Sequence, residues 1–184
     1  MTPCMDVYEA NIQSDGSIET LKLRILFRGD LQDKEIIGYT WAPTLSMGKL
    51  KYFSADSTKY KARVHQLDFI GSFLQANVKH RVFVKLDCRY GEYFPDCANY
   101  FGRQLRLNKS MYGMINSGNL FSDELTNLLI DEAGLNHSKC KISLYYKYTP
   151  YGSKLVVLSY VDDCLYWCTY EELGKLEISS MWTS

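Results

Sequence analysis

Two adjacent aspartates interrupt the most apolar stretch of this chain. Residues 155–158 (Leu-Val-Val-Leu) precede Asp162 and Asp163, and residues 165–167 (Leu-Tyr-Trp) follow them. Apolar runs of strand length on both sides of a short polar segment predict two β-strands joined by a tight turn. The two carboxylates are therefore expected in a turn at the end of a sheet.

A turn with two neighbouring carboxylates has two interpretations. Aspartate is common in ordinary polar turns, and for an isolated Asp-Asp pair that explanation is the more frequent one. Adjacent carboxylates also repel each other, so near a buried surface they favour a bound cation such as magnesium. Asp68 ends a further apolar strand, residues 64–68. Carboxylates at the ends of neighbouring strands can bind two metal ions, an arrangement suited to in-line phosphoryl transfer.

Charge is unevenly distributed, although the 21 basic and 21 acidic residues cancel. Residues 1–48 hold 4 basic and 7 acidic groups, residues 49–109 hold 12 and 5, and residues 110–184 hold 5 and 9. The basic middle segment is interspersed with tyrosine and phenylalanine, which favours a nucleic-acid groove because phosphates attract cations and bases stack on rings. A solvated basic face over an aromatic core explains the same pattern and is the commoner case.

The order of the predicted elements indicates an α+β fold in which helices cover one face of an antiparallel sheet. An N-terminal β-hairpin is expected around Asp15-Gly16. Alternation over residues 21–28 predicts one buried apolar side and one basic side for its second strand. The further predicted strands are residues 64–68, 81–86, 103–107, 142–148, 154–161 and 164–168, and the predicted helices are residues 49–57, 70–78 and 119–133.

Composition excludes several classes of protein. Six cysteines spread over 184 residues with 46% hydrophobic content predict free thiols, because a core of this size needs no disulfides. The chain contains no run of ~18 apolar residues, so no transmembrane helix is predicted. The N-terminus shows no secretory signal, so we expect an intracellular protein with no membrane contact. The three histidines have no serine or cysteine at an interpretable spacing, which argues against a nucleophilic hydrolase.

Short motifs follow one another along the chain. Residues 40–43 read TWAP, residues 66–74 read QLDFIGSFL, residues 109–114 read KSMYGM and residues 160–163 read YVDD. A looser pattern runs from Asp15 through Arg28-Gly29 to Gln32. From about residue 8 to residue 168, this series resembles the reverse transcriptases of copia-type retrotransposons. The corresponding family boxes read T-F-A-P, Q-[ML]-D-V-x-x-A-F-L, K-S-L-Y-G-L and Y-V-D-D.

The resemblance implies the palm and fingers of a right-handed polymerase. The fingers-like part would span residues 1–62 and the palm-like part residues 63–184, within a single compact unit. The implied reaction is template-directed addition of deoxynucleotides to a primer 3′-hydroxyl, with two magnesium ions that manganese can replace. The implied partners are dNTP and an RNA or DNA template with its primer, with the rest of a polyprotein or a second copy in a dimer left open. The implied location is a cytoplasmic particle or the nucleus.

Roles for individual residues follow from the same resemblance. Asp68 and Asp162 would bind both ions, and Asp163 would complete the acidic cluster. The backbone carbonyl of Phe69 would be an extra ligand. Phe73 stands where the family has the ring that excludes a ribose 2′-hydroxyl, although a core aromatic explains it equally well. The remaining implied roles are triphosphate binding by Lys22 and Arg24, nucleotide contact by Asn116 and primer contact by Tyr160 and Val161.

Some positions depart from the family pattern. Residues 115–121 read INSGNLF where the family has K-Q-A-P-x-x-W, so Asn116 replaces the expected glutamine. Lys141 replaces a family aspartate. The family's thumb and RNase H regions have no counterpart in these residues, and we expect a truncated polymerase. The alternative is an inactive or domesticated fragment that retains the palm fold and weak nucleic-acid binding.

Overall fold

The chain forms two compact units. The first combines residues 1–40 with residues 73–120, and the second combines residues 41–72 with residues 121–184. The boundary predicted between residues 62 and 63 lies inside the second unit. The computed structural model describes residues 2–37, 40–43, 45–69, 71–87, 90–91, 94–100, 102–138, 143–149 and 152–170.

The described residues mix strands and helices, which is compatible with the predicted α+β class. The strands are β1 Thr2–Ile12, β2 Ile18–Phe27, β3 Val64–Asp68, β4 Phe83–Lys85, β5 Gln104–Arg106, β6 Asn136–His137, β7 Leu144–Tyr148, β8 Lys154–Tyr160 and β9 Asp163–Cys168. The α-helices are α1 Lys34–Ile37, α2 Met47–Lys59, α3 Ser72–Gln75 and α4 Ser117–Asn127. Short 3₁₀ helices span Gly29–Leu31 and Pro95–Tyr100, and a π-helical turn, Leu128–Glu132, continues α4.

The first unit contains a four-stranded sheet of order β2-β1-β4-β5. β1 and β2 form the predicted hairpin, and Gly16 supplies the positive φ (84°) in its turn. β1 runs parallel to β4, whereas β5 is antiparallel to β4. This sheet is therefore mixed, and the prediction of an antiparallel sheet is wrong for this unit. The long connection between β1 and β4 allows these two strands to run parallel.

The β1–β2 ribbon is buried only at its base. Phe27 is 2% exposed, but Leu23 is 45% exposed and Leu21 is 76% exposed on the same face of β2. The predicted buried side of this strand is therefore wrong for its outer half. Alternation fixed which side chains share a face, but it could not show that the ribbon extends beyond the core.

Two glycines of the first unit pack backbone against backbone. The amide of Phe27 donates a hydrogen bond to the carbonyl oxygen of Tyr112 (2.8 Å). A Cβ on Gly113 would overlap the carbonyl oxygen of Phe27, and a Cβ on Gly29 would overlap that of Gly113. Residues 27–29 and 112–113 therefore form a close contact, called here the glycine contact, that leaves no room for side chains at either glycine.

The second unit contains a five-stranded antiparallel sheet of order β3-β9-β8-β7-β6. Its central strand, β8, is buried along residues 155–159, where the side chains point alternately to both faces. Leu155 of β8 and Trp167 of the neighbouring strand β9 are fully buried. A continuous apolar run is typical of a strand that is covered on both sides.

Helices cover both faces of this sheet. On one face, Phe53 of α2 packs in a core cluster with Val156 and Trp167. On the other, the Thr126 hydroxyl of α4 is hydrogen-bonded to the Tyr145 hydroxyl (2.8 Å). The cross-strand register places Tyr145 on the face opposite to Val156. The prediction that helices cover one face is therefore wrong for this unit.

The helix predicted over residues 70–78 is reduced to the four residues of α3. Its continuation pairs with residues 108–110 instead: Asn77 forms a β-bridge with Lys109, and the Ser110 amide donates to the Ala76 carbonyl (2.8 Å). Leu74, predicted on the apolar side, is 47% exposed. Tertiary pairing has replaced the local helical preference. Ile70 of this helix, Lys141 and the turn predicted at Pro150-Tyr151 lie outside the described residues.

A largely buried ion pair attaches α2 to the second sheet. Lys154 Nζ lies 2.7 Å from Asp56 Oδ2, and their side chains are 13% and 12% exposed. The ammonium also lies over the rings of Tyr60 (5.1 Å) and Trp167 (5.3 Å). Burial lowers the pKa of Lys154, but the hydrogen bond and charge of Asp56 outweigh it and keep the pKa above its usual value. Lys154 therefore stays protonated at neutral pH.

Candidate active site

Asp68 and Asp163 lie directly opposite each other on paired strands. β3 and β9 are antiparallel, and their register ends with Asp68 facing Asp163. Residues opposite each other in such a ladder project from the same face, with Cβ atoms about 4.5–5.5 Å apart. The prediction that the carboxylates end neighbouring strands is confirmed, and Asp163 rather than Asp162 is the cross-strand partner of Asp68.

The turn of the β8–β9 hairpin consists of Val161 and Asp162. Tyr160 pairs with Asp163 across it, which leaves two residues in the connection. Val161 adopts a positive φ of 53°, a conformation unfavourable for a β-branched residue. Tyr160 is 46% exposed at the end of β8. Asp162 lies in this strained turn, directly before Asp163 in the chain.

Gln66 contacts Asp163 of the carboxylate pair, although no role was predicted for it. Its Nε2 donates a hydrogen bond to Oδ1 of Asp163 (3.1 Å). Gln66 is two residues before Asp68 on β3, so both side chains project from one face. That two-residue spacing was the sequence signal that could have identified it.

The neighbouring thiol is protonated at neutral pH. Burial raises the pKa of Cys164 to about 12, and the nearby charge of Asp163 adds to the effect. Because the thiolate is the nucleophilic form, this thiol is a poor nucleophile. Cys4, Cys164 and Cys168 are free, as predicted for these three.

The donor set suits a hard divalent cation held by few protein ligands. Within the described residues, no three His, Cys, Asp or Glu side chains converge into a cluster. No lysine or arginine of the described chain forms an ion pair with Asp68 or Asp163. Magnesium is commonly bound by one or two carboxylates, with waters and substrate phosphates completing its octahedron. The facing pair therefore fits magnesium, with Asp162 available nearby in the chain.

Phe69 follows the carboxylate of β3 directly. Its ring packs edge-on against Phe121 (5.5 Å between centroids) in the second unit. Its carbonyl oxygen accepts a hydrogen bond from the Ser72 amide (3.2 Å).

Phe73 and Asn116, the predicted nucleotide contacts, lie in the first unit. The Phe73 ring packs edge-on against Tyr112 (5.3 Å between centroids), next to the glycine contact. Asn116 is 5% exposed, and its Oδ1 is buried with no hydrogen-bond partner in the described part of the chain. Its backbone carbonyl accepts from the Leu120 amide (2.9 Å), which places it at the start of α4.

The basic side of the first hairpin is partly neutralised. Arg24 forms an ion pair with Glu9 of β1, and both side chains are more than two-fifths exposed. Arg28 binds Asp30 through two hydrogen bonds, of 2.8 and 2.6 Å, and the hydrogen bond from Arg28 holds the pKa of Asp30 below its usual range. Lys22 is exposed on the same strand. Exposed ion pairs contribute about 0–1 kcal/mol, so a phosphate can displace Glu9 from Arg24 at little cost.

Two facing carboxylates on paired strands, next to a tight turn with a third, are typical of domains that transfer phosphoryl groups with metal ions. A family model described as "Reverse transcriptase (RNA-dependent DNA polymerase)" matches residues 5–177. The chain belongs to this family, and the match confirms the resemblance seen in the motifs. No curated protein and no solved structure matches the chain. None of the described helices has the length and apolar character needed to span a bilayer.

Proposed function

We propose that this chain is the RNA-directed DNA polymerase domain of a copia-type retrotransposon and that it adds dNTP to a primer 3′-hydroxyl with magnesium. The observation that carries the proposal is the register that sets Asp68 opposite Asp163 beside the Val161-Asp162 turn. The family match over residues 5–177 supports the same reaction class.

The carboxylates supply the chemistry of the second unit. Asp68, Asp162 and Asp163 would hold the divalent ions, with the backbone carbonyl oxygen of Phe69 as a further ligand. When bound, such ions lower the pKa of a hydroxyl and neutralise charge on the triphosphate and the leaving pyrophosphate. The protein forms no covalent bond, so its task is to hold oxygen ligands in place. Tyr160 and Val161, at the strained turn, would contact the primer.

Contacts to the nucleotide are assigned to four further residues. Phe73, supported by the Tyr112 ring, would exclude a 2′-hydroxyl and so select dNTP. Lys22 and Arg24 would bind the triphosphate, with Arg24 exchanging Glu9 for phosphate. The Oδ1 of Asn116, which has no hydrogen-bond partner among the described residues, would accept a hydrogen bond from the nucleotide. The partners would be an RNA or DNA template with primer, and the location a cytoplasmic particle or the nucleus.

A second candidate is an inactive fragment that keeps the fold and binds nucleic acid weakly. The observation that favours it is Asn116, which replaces the family glutamine and is 5% exposed. A shorter, buried amide reaches a bound nucleotide less well. This candidate predicts that the chain does not extend a primer.

Primer extension distinguishes the two candidates. The full chain, mixed with an RNA template, a labelled DNA primer, four dNTPs and magnesium, is expected to add a few nucleotides per encounter. The same reaction with EDTA is expected to give no product, because the carboxylate pair then has no cation. If the folded chain gives no extension with either magnesium or manganese, the inactive-fragment candidate is correct.

Replacing Phe73 with alanine is expected to weaken discrimination between dNTP and NTP. Removing the ring opens space for one hydroxyl, which corresponds to about 10–200-fold in relative kcat/KM. The measurement is single-nucleotide extension with dNTP and NTP for both proteins. Phe83→Ala, a truncation of a 41% exposed ring in the same unit, is the matched control. Unchanged sugar preference in Phe73→Ala would make Phe73 a core aromatic only.

A further inference from the structure

The strand register gives Gln66 a defined position beside the carboxylate pair. Gln66 faces Leu165 across the β3–β9 ladder, and Asp68 faces Asp163. All four side chains therefore project from one face of the sheet, with Gln66 diagonal to Asp163. The amide spans this diagonal, since its Nε2 lies 3.1 Å from Oδ1 of Asp163.

The hydrogen bond from Gln66 fixes the orientation of the Asp163 carboxylate without neutralising its charge. Asp68 and Asp163 repel each other when both are charged, and a cation or a hydrogen-bond donor offsets that repulsion. A lysine at position 66 would supply a donor but would also compete with a metal ion for the same oxygens. A neutral amide fixes the rotamer of Asp163 and leaves its Oδ2 and full negative charge for a cation.

Resting on the proposed function, we infer that Gln66 is a positioning residue that holds the Asp163 carboxylate ready to bind a divalent cation together with Asp68. Groups that hydrogen-bond to metal ligands typically change metal affinity 10–100-fold when they are removed. Gln66 itself does not touch the ion. Its effect passes through the Asp163 oxygen that it contacts.

The test measures metal binding directly, without nucleic acid or nucleotide. Manganese is titrated into the full chain, and free manganese is followed by electron paramagnetic resonance. Gln66→Leu, which replaces the amide by an apolar side chain that cannot donate, is expected to weaken binding about tenfold. Gln66→Lys, which can donate but adds positive charge, is expected to weaken it further. If the contact served only stability, Gln66→Leu would lower the free energy of unfolding and leave the manganese affinity within twofold of wild type.

Two controls make the outcome decisive. Gln104→Leu makes the same change at an exposed strand position of the first unit and is expected to leave manganese binding unchanged. Asp68→Asn removes one proposed ligand and shows how far manganese binding falls when the site is lost. If wild type binds no manganese, or Asp68→Asn binds it as well as wild type, the metal site and this inference both fail. If Asp68→Asn weakens binding but Gln66→Leu stays within twofold of wild type, the Gln66 inference alone is overturned.

Discussion

Asp68→Asn or Asp162→Asn is expected to reduce magnesium-dependent primer extension by at least about 1,000-fold. Each substitution replaces a charged oxygen ligand by a neutral amide, and metal stabilisation of phosphoryl transfer amounts to several kcal/mol, or about 1.4 kcal/mol for each factor of ten. The measurement is the initial rate of extension on an RNA template at saturating dNTP. The fold should persist, because neither carboxylate forms an ion pair in the described part of the chain.

Asp131→Asn is the matched control for these variants. Asp131 is exposed on the π-helical turn after α4, so the same loss of charge occurs away from the carboxylate pair. This variant should extend primers at the wild-type rate, and circular dichroism should show equal folding of all variants. Extension at the wild-type rate by Asp68→Asn would refute the proposed roles of the carboxylates.

Gly113→Ala is expected to destabilise the first unit by about 2–5 kcal/mol. Gly113 has a φ of 89°, which costs an L-residue about 1–2 kcal/mol. Its new Cβ would also overlap the backbone oxygen of Phe27, and overpacking of this kind costs about 1–3 kcal/mol. The measurement is urea unfolding followed by circular dichroism.

Gly102→Ala separates the backbone cost from the steric one. Gly102 has a similar φ of 75° in the same unit, but a Cβ there would meet nothing within 4 Å. Its substitution should cost only the backbone term, about 1–2 kcal/mol. Equal losses of unfolding free energy in the two variants would show that the glycine contact with Phe27 contributes nothing beyond the backbone conformation of Gly113.

The glycine contact also explains two of the sequence motifs together. Gly29 and Gln32 belong to one motif, and Gly113 to another, more than 80 positions away. The Gln32 side chain accepts a hydrogen bond from the Ile115 amide (2.9 Å), beside the contact of the two glycines. Residues of the two motifs therefore pack against each other, which no local pattern in either motif could reveal.

Local patterns in the sequence determined the elements that carry the candidate site. Alternation and apolar runs predicted β3 at residues 64–68, the first hairpin, and the hairpin that presents Asp162 and Asp163. These features depend on side-chain period and turn chemistry within about ten residues, so they can be inferred without a fold. The continuous apolar run of β8 also carried the signal for burial on both faces, which the prediction of helices on one face overlooked.

Tertiary structure alone decided how these elements meet. The register between β3 and β9 selects Asp163 as the partner of Asp68 and brings Gln66 to Asp163, and a shift of one residue would turn these side chains to the other face. Pairing of Asn77 with Lys109 likewise shortened α3 against its own helical pattern. Register and packing depend on contacts between residues far apart in the chain. The energies of these contacts cannot be inferred from a local sequence period.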